Sequence, residues 1–236
     1  MGDIKKFPEK SSTAEINAFL QKVNVTPLIK STGKRGRLIF AMDATASRGP
    51  TWDRACQIQA QMFKETAALG GLEIQLCYYR GYGEFHATQW ISQSEDLLKK
   101  MTAVGFLGGY TQIEKILRHA CNETQQIQVN ALVFIGDCVE EDPDILCQLA
   151  GELGLYNVPT FLFQEGNDPI AARTFKQIAH LTNGAYCPFD STSAHQLRDL
   201  LNAVAVYAAG GQRALEDYGK QTGNAVLQLI HQIKKG

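Results

Sequence analysis

The sequence predicts an α/β fold: a three-layer α/β/α domain around a mainly parallel central sheet, with one antiparallel edge strand. Three observations carry this. Apolar strands alternate with amphipathic helices from residue 37 to residue 208, and such alternation implies right-handed βαβ crossovers with helices on both sheet faces. Residues 130–136 form a continuous run containing Ala-Leu-Val-Phe-Ile, the pattern of a strand buried on both sides. Residues 80–83, Arg-Gly-Tyr-Gly, separate two strand-like segments by a tight turn, which predicts a local hairpin.

The elements follow in order. Ser11 or Ser12 caps a helix carrying Ile16, Phe19, Leu20 and Val23. A polar basic stretch leads into the first strand, residues 37–43. Pro50 opens a helix that runs to about Leu69 and is closed by Gly70-Gly71. Residues 73–79 alternate Ile74, Leu76 and Tyr78 as a second strand, and residues 84–90 return antiparallel. Ser92 or Ser94 caps a helix through Met101. A glycine-rich loop, residues 105–110, then delivers Thr111 to a helix bearing Ile113, Ile116 and Leu117. After the strand at 130–136 come a helix (143–153), a strand (158–163), a helix (169–181), a strand (185–189) and a helix (194–208). Gly210-Gly211 breaks that helix, and a last amphipathic segment carries Leu215, Tyr218, Val226, Leu229, Ile230 and Ile233. The expected division is an N-terminal helical extension (1–36), the α/β domain (37–209) and a C-terminal helical extension (210–236). Packing of the last segment on the domain is favoured, because an isolated amphipathic helix needs an apolar face to sit on.

Composition narrows the function. Apolar residues make up 44% of the 236 and charged residues 20%, enough for a large core and too apolar for disorder. A net charge of −1, with basic pairs only at Lys5-Lys6 and Lys234-Lys235, argues against nucleic-acid or membrane-surface binding. The six cysteines form no CxxC and read as buried free thiols. With a polar N-terminus and no run approaching ~20 apolar residues, the expectation is a reduced cytoplasmic protein.

The chemistry gathers at strand ends. The first strand runs into Asp43-Ala44-Thr45-Ala46-Ser47, placing a carboxylate and two hydroxyls at alternate positions. Such hard oxygen donors suit a small cation such as Mg²⁺. Thr111 follows the glycine loop and Asp137 ends the strand at 130–136. In an open α/β sheet ligands bind outside the carboxyl ends of strands, so these chain-distant residues are expected on one rim.

These residues resemble the von Willebrand factor A (VWA) family and its metal-ion-dependent adhesion site (MIDAS): Asp-x-Ser-x-Ser, a distant Thr, then a distant Asp after an apolar strand. Asp43, Ser47, Thr111 and Asp137 match, and Thr45 replaces the usual first serine. Residues 108–113, Gly-Gly-Tyr-Thr-Gln-Ile, look like the family's second metal loop. The resemblance implies a Rossmann-like VWA domain. It also implies Mg²⁺ or Mn²⁺ touched by Ser47, Thr45 and Thr111, with Asp43 and Asp137 acting largely through water. A cation held mainly by neutral hydroxyls keeps much of its charge and attracts an Asp or Glu of a partner protein. The implied role is therefore an intracellular protein-interaction module, not an enzyme. Bacterial relatives look like adaptors that work beside AAA-type ATPases or chaperones.

Simpler readings stand beside these. Asp43 alone is a helix cap. Glu140, Glu141 and Asp142 read as a solvated first helical turn favoured by the dipole. Trp52 is either half-buried in its helix or a partner anchor, and Tyr82 is a turn aromatic. The histidines (86, 119, 180, 195 and 231) show no zinc spacing. Two rival functions remain. One is a Mg²⁺-dependent phosphatase resembling the haloacid dehalogenase type, with Asp43 as nucleophile. It is opposed by Thr45 where those enzymes carry a second Asp. The other is a purely structural metal staple.

Overall fold

The computed structural model describes residue 18 and residues 35–189 and 194–222. The expected N-terminal helix, and Val226, Leu229, Ile230 and Ile233 of the last segment, lie outside the described residues. The elements are β1 (Gly36–Asp43), α1 (Gly49–Thr66), β2 (Leu72–Arg80), β3 (Glu84–Ala87), α2 (Ser94–Thr102), α3 (Ile113–Gln126), β4 (Ala131–Gly136), α4 (Pro143–Leu155), β5 (Thr160–Glu165), α5 (Pro169–Leu181), β6 (Ala185–Phe189) and α6 (Ala194–Thr222). Short 3₁₀ turns sit at Ala46–Arg48 and Ala67–Leu69.

The six strands form one sheet in the order β3-β2-β1-β4-β5-β6. All neighbours are parallel except β3, which is antiparallel on β2. Every residue of β1 and β4 is buried, because helices cover both faces and side chains alternate between them. Leu38, Phe40 and Met42 face a layer with Trp52, Ala55, Met62, Leu97, Met101, Leu201 and Tyr207. Ile39 and Ala41 face the other layer, with Ile113, Leu117, Leu146, Leu153, Phe175 and Ile178. The strand order reverses between β1 and β4, so a crevice opens at their carboxyl ends. Asp43 closes β1 there, and Asp137 follows β4 directly.

Several expectations shift. β3 ends at Ala87 instead of residue 90, because the Thr88 hydroxyl accepts from the Leu76 N–H at 3.1 Å and replaces a ladder bond. β5 starts two residues later than expected. The helix at Ser94 is preceded by Gln93 and has no side-chain cap. The Gly210-Gly211 break is a kink: Gly211 has φ 74° and ψ −169°, and α6 resumes to Thr222. Beyond the kink Leu215 is buried and Tyr218 lies against the core, so the part of the last segment described here packs on the domain. All six cysteines are free, but only Cys77, Cys121 and Cys187 are fully buried. Among the described residues no helix is long and apolar enough to cross a membrane.

Candidate metal centre

Asp43 is 1% exposed. Its Oδ1 accepts from the Thr45 N–H at 2.7 Å, an Asx-type turn. Neither the 3₁₀ turn at Ala46–Arg48 nor α1 receives a side-chain cap, so Asp43 does not cap the following helix. Burial pushes its carboxyl up to about 6; the Asp137 charge adds to this, while the Thr45 hydrogen bonds and Arg48 oppose it.

Thr45 is half-buried and Ser47 exposed at the mouth of the crevice. Thr111 is buried and held by two acids. Its N–H donates to Glu140 Oε2 at 2.9 Å and its hydroxyl to Glu141 Oε2 at 2.5 Å, while it accepts from the Glu140 N–H at 2.9 Å. Glu141 also accepts from the Glu114 N–H at the start of α3. Glu140 is exposed and Glu141 half-buried, but both precede α4 instead of forming its first turn. They tie the β4 end to the glycine loop, and Asp142 alone caps α4, accepting from the Asp144 N–H.

Asp137 pairs with Arg48, an ion pair of 3.0 Å. The same guanidinium binds Glu165 at the end of β5 at 2.5 Å, and Arg48 Nε donates to Ser47 Oγ at 3.2 Å. Thr51 also donates to Glu165. Arg48, Glu165 and Thr51 were not singled out from the sequence, although Arg48 directly follows Ser47.

A fourth unanticipated residue is Tyr79, paired in register with Asp43. It is fully buried, and among the described residues its hydroxyl has no hydrogen-bond partner. Burial, with the charges of Asp43, Glu141, Cys138 and Asp137, raises its pKa well above the usual range. A buried, unsatisfied hydroxyl costs free energy, and this one lies beside the acids.

The donor set fits a hard cation. Asp43, Thr45, Ser47, Thr111 and Asp137 offer only oxygen, and the acids Asp43, Asp137, Glu140, Glu141 and Glu165 outnumber the Arg48 guanidinium. Among the described residues no three His, Cys, Asp or Glu side chains are grouped to hold a metal; the set here depends on hydroxyls.

The rim around the crevice is apolar. Tyr82, Tyr110, Leu107 and Phe106 are exposed, and the Tyr82 and Tyr110 rings meet edge to face at 5.2 Å. Trp52 is not part of this surface. It is 2% exposed, donates to the Met101 carbonyl and abuts Tyr78 and Phe106.

A mainly parallel α/β sheet with hydroxyls and acids at its switch point defines the class of this molecule. Among solved structures that fold is the von Willebrand factor type A fold. The chain is similar to a von Willebrand factor type A protein from Catenulispora acidiphila, with a TM-score of 0.58 and 15% identity over 73% of this chain and 43% of that one. It is similar to the SpRpn10 VWA domain, with a TM-score of 0.56 and 13% identity over 71% of this chain and 94% of that one. The vWF domain of the type V pili tip protein Mfa5 from Porphyromonas gingivalis gives a TM-score of 0.55 and 11% identity over 74% and 95%. This chain thus spans less than half of the Catenulispora protein. No family model and no curated protein matches the chain.

Proposed function

We propose that this chain is a protein-interaction module in which Asp43, Thr45, Ser47, Thr111 and Asp137 hold Mg²⁺ or Mn²⁺, and an Asp or Glu of a partner protein docks on the metal. The observation that carries this reading is the convergence of β1, the glycine loop and the β4 end at one switch point, bringing hydroxyls and acids together. The bound metal would supply a positive charge for a carboxylate. The exposed Tyr82, Tyr110, Leu107 and Phe106 support a protein partner, since a cluster of exposed apolar side chains marks contact surfaces. We place the module in the cytoplasm, where the six free cysteines stay reduced. The partner class that the resemblance points to is an AAA-type ATPase or a chaperone.

Calorimetric titration of Mg²⁺ and Mn²⁺ into wild type and Asp43→Ala tests the site. Wild type is expected to bind one ion and the variant none. Equal binding by both would sink the constellation. A metal-dependent pull-down with an acidic peptide then tests the docking.

A further inference from the structure

Arg48 holds three of the groups around the candidate centre at once: Asp137 at 3.0 Å, Glu165 at 2.5 Å and Ser47 Oγ at 3.2 Å. Two of these, Asp137 and Ser47, belong to the proposed ligand set, and Glu165 does not. We propose that Arg48 is the resident cation of the metal-free site and competes with the divalent ion for Asp137 and Ser47. The inference rests on the metal-binding reading above and adds a built-in threshold to it.

Burial decides between the roles open to a cation here. The Arg48 side chain is 10% exposed, so it does not present its charge to a partner's carboxylate. Its planar fork suits two acids at once, and it bridges the β4 and β5 ends across the crevice. Glu165, 14% exposed and also bound by Thr51, is the partner Arg48 keeps when Asp137 and Ser47 turn to a divalent ion. A guanidinium so placed repels a second cation in a medium of low dielectric.

Competition and structural support have opposite signs in one measurement. A residue that only shapes the site lowers metal affinity when removed; a competitor raises it. Mn²⁺ is titrated by calorimetry into wild type, Arg48→Gln and Arg48→Lys, with folding checked by circular dichroism. Competition gives Arg48→Gln a Mn²⁺ affinity about tenfold or more above wild type. Arg48→Lys keeps the charge, loses the fork and falls between the two, which preserves the test if the Gln variant does not fold. Wild-type or weaker affinity in the folded variants overturns the proposal and leaves the metal site standing. Absence of binding in all three proteins removes the site itself, and the proposal with it.

Discussion

At the scale of single residues, Asp43 sets burial against charge. Its folded pKa of about 6 lies above the ordinary 3.8, so the fold prefers the protonated acid. The stability that the neutral acid allows is fully present below the ordinary value and is lost as pH rises through about 6. At neutral pH the buried charge therefore costs the metal-free fold on the order of 2–3 kcal/mol. Asp43→Asn keeps the shape and the acceptor for the Thr45 N–H. In chelator, urea unfolding should show the variant more stable by about that amount at pH 7.5, with the gain fading toward zero below pH ~4. Saturating Mn²⁺ should reverse the order, because a cation rewards the carboxylate and not the amide. An equal midpoint for both proteins at pH 7.5 in chelator would refute the cost. Thr45→Ser keeps the hydroxyl and removes a methyl, and is expected to bind Mn²⁺ at least as tightly as wild type in the same titration.

At the scale of elements, two loops frame the site and are fitted to each other. A Cβ on Gly109 would stand 1.9 Å from the Gly81 carbonyl oxygen, whereas Gly108 has open space around it. Gly81 N–H donates to the Leu107 carbonyl at 3.1 Å, and Leu107 N–H to Ala44 beside Asp43 at 3.3 Å. Gly109→Ala should push the glycine loop off the β2–β3 turn, carry Thr111 with it, lower the melting point by the equivalent of about 2 kcal/mol and weaken Mn²⁺ binding. Gly108→Ala should change stability by less than about 0.5 kcal/mol; a Gly109 variant that behaved the same would show that the loops yield freely. The sequence made the strands of this frame visible for a physical reason: β1 and β4 are covered on both faces and so read as apolar runs. Asp43, Thr111 and Asp137 were legible because each ends such a run or its loop. The residues that meet them were not. Arg48 meets Asp137 and Glu165, and Tyr79 lies opposite Asp43, only through inter-strand register, which no local pattern encodes. Trp52 was ambiguous because its helix begins at the mouth of the site while its ring turns inward to Met101.

At the scale of the whole molecule, the candidate site and the packing of α6 lie at opposite ends of the same strands. β1 begins at Gly36 and ends at Asp43, roughly 23 Å along the strand. At the far end of β1 Gly36 sits against the Ala208 backbone, and Gly210 lies beside Leu69. The kink at Gly211 then turns the last part of α6 so that Leu215, 7% exposed, joins the core layer. This arrangement makes the two properties separable. Leu215→Ala deletes buried apolar volume and should cost about 2–3 kcal/mol in urea unfolding. Leu215 lies about a strand length from the crevice, so the folded variant should keep its Mn²⁺ affinity to within about twofold, as expected for distant independent sites. A fall in affinity that tracks the loss of stability would mean that the sheet transmits strain along its strands, and that packing around the kink helps set the geometry of the loops around Asp43 and Thr111.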